Sequence, residues 1–175
     1  QISADQLDFL CDDEGDDCSI RSDPRYLAQL ERGWKDRRVV AFGAQAPAFV
    51  EAMVEESFSR VEIPMLLMSG RQDVTTTHEE QAIPIWEGLH HREDVWLDFV
   101  NAGHQSFVTT CRDLATWQQD LLLYRPQEDG CGPDQTNAMT VVYYTAAAMR
   151  RWSDAYLRDD DALLSEVKTA QGADG

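Results

Sequence analysis

The sequence predicts an α/β fold in which parallel strands are joined by crossover helices. Three strand–loop–helix units follow one another along the middle of the 175-residue chain. Each strand is a short, nearly continuous apolar run, the pattern of strands covered on both faces. Repetition of that unit is the grammar of a parallel sheet with helices packed on it.

Residues 1–23 form an acidic, irregular lead-in. Its "CDDEGDDC" stretch lacks the ligand spacing of a calcium loop and reads as a solvated turn. The body, 24–168, opens with "DPRYLAQLERGWK", a helix with Asp23 as cap and Pro24 in its first turn. "RVVAFGA" (38–44) is the first strand, bounded by charge and by Pro47, and "APAFVEAMVEESF" then places apolar residues at helical spacing. "IPMLLMSG" (63–70) is the second strand and ends in glycine. "RQDVTTTHEEQ" is a polar loop running into a helix, with Thr77 as cap and Glu80 three residues on. Pro84 interrupts or bends that helix. "DVWLDFV" (94–100) is the third strand; the loop "NAGHQSF" and another helical stretch follow. "YRPQEDGCGPDQ" (124–135) is a Pro/Gly-rich connector. "TNAMTVVYYTAAAMRRWSDAYL" is a long amphipathic helix, with Met139, Val142, Tyr143, Ala146 and Met149 along its packed side. Residues 169–175 read as a frayed tail.

The formal net charge is -17, and only Lys35 and Lys168 among the 15 basic residues are lysines. That balance excludes a nucleic-acid partner, whose phosphates need a basic surface, and an anionic membrane surface. No apolar run is long enough for a membrane span. Gln1 is neither an initiator methionine nor the start of a signal peptide, so it is expected to mark a processing site. The four cysteines show no C-x-x-C spacing, so no zinc or dithiol redox site is expected. An even number at loop positions favours disulfides and an extracytoplasmic, secreted or periplasmic protein. Pairing Cys11 with Cys18 and Cys111 with Cys131 closes two short loops and is the most economical of three connectivities; four reduced thiols are the alternative.

Chemistry concentrates at the carboxyl ends of the second and third strands, where parallel sheets place their ligands. Asp73 lies three residues beyond Gly70, and His104 lies in the corner just past the third strand. Neighbouring strands run about 4.8 Å apart, close enough for a carboxylate on one loop to reach an imidazole on the next. A carboxylate against one ring nitrogen fixes the tautomer, leaving the other free to take a proton from a hydroxyl. Gly70 and Gly103 are expected to supply tight turns with positive φ. Singly, Asp73 is equally readable as a helix cap and His104 as a backbone donor; together, on successive strand ends, they form a candidate catalytic pair. His78 reads as a solvated residue at a helix start, and His90 and His91 as exposed beside Arg92. No metal set or cofactor is implied.

"IPMLLMSGRQDVTTT" and "VWLDFVNAGHQSFV" resemble the last strands of an α/β-hydrolase, with its P-x-L-x-x-x-G-x-x-D acid loop and G-H-x-x-F histidine loop. The subgroup most similar is the predicted dienelactone hydrolases, akin to platelet-activating-factor acetylhydrolases and bacterial polyester hydrolases. "DRRVVAFGAQAPAF", "DGCGPD" and "YYTAAAMRRWSDAYL" resemble the same group, and the likeness spans residues 5–165. The resemblance implies that Asp73 is a triad acid and His104 a triad base. One departure matters: no serine here stands in a G-x-S-x-G elbow. In that family the elbow precedes the acid and the histidine. The resemblance therefore implies the C-terminal half of an α/β-hydrolase domain, completed by a separate N-terminal chain, cleaved from one precursor, that carries the serine. Cys11 and Cys111 are poor substitutes, since neither lies on a strand-to-helix elbow. The implied activity is a serine carboxylic-ester hydrolase acting on short acyl esters, lipid acetyl esters or polyester. Val74, Trp86 and Phe107 are candidate pocket residues, with helix packing the alternative for each. The rival readings are a non-catalytic assembly or binding subunit, and an amidase or peptidase on the same scaffold.

Overall fold

The computed structural model describes residues 23–32, 35–50, 53, 55–113 and 128–171. Helix α1 spans Pro24–Arg32. Asp23 Oδ1 accepts from the Arg25 backbone N–H at 2.9 Å, satisfying one donor of the first turn as the Asp-Pro start implied. Three parallel strands follow: β1 (Phe42–Gln45), β2 (Met65–Gly70) and β3 (Val95–Phe99), with β2 in the centre. Ser69 pairs with Asp98 and Gly70 with Phe99, so the strand ends that launch the acid and histidine loops lie side by side.

β2 explains the layering. Every residue from Met65 to Gly70 is buried, and the side chains alternate between two cores. Leu66 and Met68 face a cluster with Val95, Val141, Trp152, Ala155, Leu164 and Val167. Met65 and Leu67 face the other, with Ala82, Ile85, Leu89 and the half-buried Trp86 and Trp96. The first cluster belongs to α4 (Ala138–Arg158) and α5 (Asp161–Gln171); the second to α2 (Ile83–Gly88) and the turn before it. Helices thus cover both faces of a parallel sheet, as its apolar strands require.

Several expectations are corrected. β1 begins four residues later than the apolar run, at Phe42, and Val39 and Val40 are exposed. Of the helix expected after it, residues 51, 52 and 54 lie outside the described residues, and Glu55–Arg60 form a 3-10 turn. Ala46 and Phe49 adopt positive φ of 42° and 65°, which no helix accommodates. Residues 78–82 form one π-helical turn that passes into α2, with Pro84 in the first turn of α2, where its missing N–H costs nothing. Thr77 makes no cap; its hydroxyl donates to Glu80 Oε2 at 2.9 Å. On α4 the packed stripe is rotated from the expected one. Ala138, Val141, Thr145, Trp152 and Ala155 are buried, whereas Met139 and Tyr143 are exposed. The bulk of Trp152, 2% exposed, sets that rotation, and a sequence of scattered alanines does not announce it. α5 continues to Gln171, three residues into the expected tail.

A disulfide joins Cys111, on α3 (Thr110–Asp113), to Cys131, closing a separation of 20 residues. The Cys11–Cys18 pairing lies outside the described residues. Among the described residues no helix is long and apolar enough to cross a membrane.

Candidate active site

The acid loop folds around the Asp73 carboxylate. Oδ1 accepts from the backbone N–H groups of Thr75 at 2.9 Å and Thr76 at 2.6 Å, and Oδ2 accepts from the Thr76 hydroxyl at 2.8 Å. An aspartate that bonds the backbone two and three residues on is the usual way such a turn closes. Asp73 is thereby locked with its remaining oxygen face toward the next loop. His104 Nδ1 lies 3.0 Å from Asp73 Oδ2 and 3.0 Å from Thr76 Oγ1. Since Thr76 donates to Asp73, both neighbours offer acceptor lone pairs to Nδ1, which places the ring proton there. Nε2 then carries the lone pair, and among the described residues no group bonds to it.

Burial is uneven in a useful way. The Asp73 side chain is 2% exposed and that of His104 is 26% exposed. The pair is rooted inside and opens at the histidine. The hydrogen bond that His104 donates to Asp73 raises the imidazole pKa above its ordinary value; burial opposes this, and the charges of Asp73 and Asp129 add to the rise.

The two loops are joined by backbone as well. Arg71 N–H bonds Phe99 O at 3.0 Å, and Gln72 N–H bonds Ala102 O at 3.0 Å. The expected glycines are needed, for a different reason than positive φ. Gly103 has φ -106°, and Gly70 is not in the left-handed region either. A Cβ on Gly70 would strike the Ala102 carbonyl, and one on Gly103 would strike the backbone of Asp129. Close approach of three chain segments, not turn geometry, demands them.

Other expected residues are sorted by the same structure. Val74 is 64% exposed beside Asp73, so it is free to meet a ligand. Phe107 is 7% exposed and packs edge-on against Phe99, a core role. Trp86 packs against Trp96 in the second cluster. His78 is not solvated: it is buried and stacks on Trp96 with ring centroids 5.2 Å apart. His91 is half-buried, its Nδ1 accepting from Glu93 N–H at 3.2 Å, while His90 is exposed. Among the described residues no group of three or more His, Cys, Asp or Glu side chains is placed to hold a metal ion.

Two participants escaped the sequence reading. Thr76 was visible only as one of three consecutive threonines. Asp129 sat in a connector whose Gly and Pro content drew attention to its turns. The chain matches no family model, no curated protein and no solved structure.

Proposed function

We propose that this chain carries the acid and the base of a serine carboxylic-ester hydrolase of the α/β-hydrolase type. The observation that supports it is the 3.0 Å contact between Asp73 Oδ2 and His104 Nδ1, with a half-buried ring open at Nε2. The attacking serine hydroxyl comes from outside these 175 residues, on an N-terminal partner segment, in keeping with the chain order of the resembled family. Nε2 takes the hydroxyl proton as the serine oxygen bonds the acyl carbon. The resulting imidazolium gives that proton to the alcohol oxygen as the carbon–oxygen ester bond breaks. Water repeats the exchange on the acyl-enzyme, and the acid leaves. Asp73 holds the ring throughout and stabilises the imidazolium without taking the proton itself. Exposed Val74 suits an apolar acyl or aryl group beside the histidine.

The test is labelling of the full-length native protein with a fluorophosphonate, alongside a panel of short acyl esters and polyester. Covalent label on a serine of the partner segment, lost in His104→Ala, supports the reading. Intact protein that takes no label and releases no acid overturns it in favour of a non-catalytic subunit. Label with amide but no ester turnover transfers the same residues to an amidase.

A further inference from the structure

We propose that Asp129 is a positioning residue of this site: one buried carboxylate that pins the loop carrying Asp73 and the loop carrying His104 to a single point. This rests on the reading above and adds a residue to it. Asp129 Oδ1 accepts from the backbone N–H of His104 at 2.8 Å and from that of Val74 at 3.1 Å. Oδ2 accepts from the Thr75 hydroxyl at 2.5 Å. The Asp129 carbonyl accepts from Gln105 N–H at 2.8 Å. A single residue therefore grips positions 74 and 75 on one loop and 104 and 105 on the other. Asp73 and His104 are handed to each other by the backbone on either side.

The residue type matters as much as the grip. Asp129 is 2% exposed, and among the described residues no cation pairs with it. Burying such a carboxylate is costly. An asparagine would satisfy the same two N–H groups without that cost. What the charge adds is a second negative field behind the imidazole, in the same sense as that of Asp73. The latch is itself held. Gly130 has φ 120°, a conformation open to glycine, and a Cβ there would meet Ser106 N at 2.5 Å. Gln135 Oε1 receives Gly130 N–H at 2.6 Å and Gly132 N–H at 3.0 Å, and the Cys111–Cys131 disulfide ties down the next residue.

The experiment is an NMR titration of the His104 ring in the full protein, for wild type, Asp129→Asn, Asp129→Ala and Asp73→Asn, with steady-state kinetics on the same samples. Asp129→Asn keeps the acceptor and removes the charge. Its His104 midpoint falls, by less than in Asp73→Asn, because Asp73 makes the direct bond. Asp129→Ala frees both loops and lowers kcat about a hundredfold, the cost of a small misplacement of reacting groups, with KM little changed. Asparagine restores most of that loss. A His104 midpoint in folded Asp129→Asn equal to wild type, or wild-type kcat in folded Asp129→Ala, overturns the proposal. The titration reads the ring and not the product. A shifted midpoint in a protein that hydrolyses no ester therefore keeps Asp129 and removes the ester reading, whereas an active, labelled esterase with an unmoved midpoint does the reverse.

Discussion

Two His–Asp pairs bridge β2 and β3 in this molecule, and they are exchanged versions of each other. In one, the loop after β2 supplies the acid, Asp73, and the loop after β3 supplies His104. In the other, the turn after β2 supplies His78, and β3 itself supplies Asp98. The first pair is bonded at 3.0 Å with the histidine side chain 26% exposed; the second stands at 3.5 Å with the histidine side chain 11% exposed. His78 Nδ1 and the facing Asp98 Oδ1 are buried without a hydrogen-bond partner, and the ring lies flat on Trp96. Asp98 Oδ2 accepts from Arg71 Nε at 2.6 Å. Asp98 thus ties Arg71, at the start of the acid loop, to β3. The comparison teaches that a histidine beside an aspartate is not yet a base. The ring also needs a bonded acid partner and access from outside: His104 has a 3.0 Å bond to Asp73 and a side chain 26% exposed, whereas His78 has no bonded acid and a side chain 11% exposed.

The comparison breaks or holds first on activity. His104→Ala should abolish turnover, and Asp73→Asn should lower kcat by about 10⁴-fold with the fold intact, because the wrong tautomer is then favoured. His78→Ala should leave kcat within about tenfold, since its ring is remote from any reacting atom by this reading. Ester kinetics on the three variants decide it, and equal losses would erase the distinction between the pairs.

The next effect belongs to the disulfide, which buttresses only the first pair. Replacing Cys111 and Cys131 by serine removes a closed loop of 20 residues. Loss of stability of about 3 kcal/mol is expected from loop-closure entropy, read from urea unfolding. Smaller again is the reversal of the two histidines on the stability scale. His78→Ala empties a stacked, buried site and should cost about 2 kcal/mol, whereas His104→Ala should cost under about 1 kcal/mol. Asp73 keeps its Thr75 and Thr76 bonds in that variant.

The pH dependence sharpens the contrast most finely. His104 has a raised pKa, so the stability it contributes is complete below the unfolded-state value and is lost as pH rises through the folded value. As a base it must be neutral, so the acidic limb of kcat/KM should lie above the ordinary imidazole range. Asp73→Asn should move that limb down, since the bond to Asp73 is the largest cause of the rise. An acidic limb at or below the ordinary range in wild type would count against His104 as the base.

Much of this was legible beforehand at the level of elements. The short apolar run at Met65–Met68, ending in glycine at Gly70, reads as a strand covered on both sides, and the second and third strands stand within two residues of the expected ranges. Asp73 and His104 were legible because each follows such a strand. The packed stripe of α4 was misread because Trp152, far along the helix, decides its rotation. His78 was misread because its stacking partner, Trp96, stands on β3, 18 residues further along the chain. Gly103 was recognised as required, but its obstacle is Asp129, which no local pattern connects to it.

Local sequence alone determined that three strands follow one another, that the sheet is parallel, and which two strand ends would hold a carboxylate and an imidazole, though not where the first strand begins. Those are consequences of backbone preference and hydrophobic periodicity, which act over a few residues. Tertiary structure alone decided which histidine opens to solvent, why two glycines are needed, and that Asp129 reaches both loops. Those depend on distances between segments far apart in the chain, where a hydrogen bond or a clash is settled by tenths of an ångström that no spacing of letters encodes.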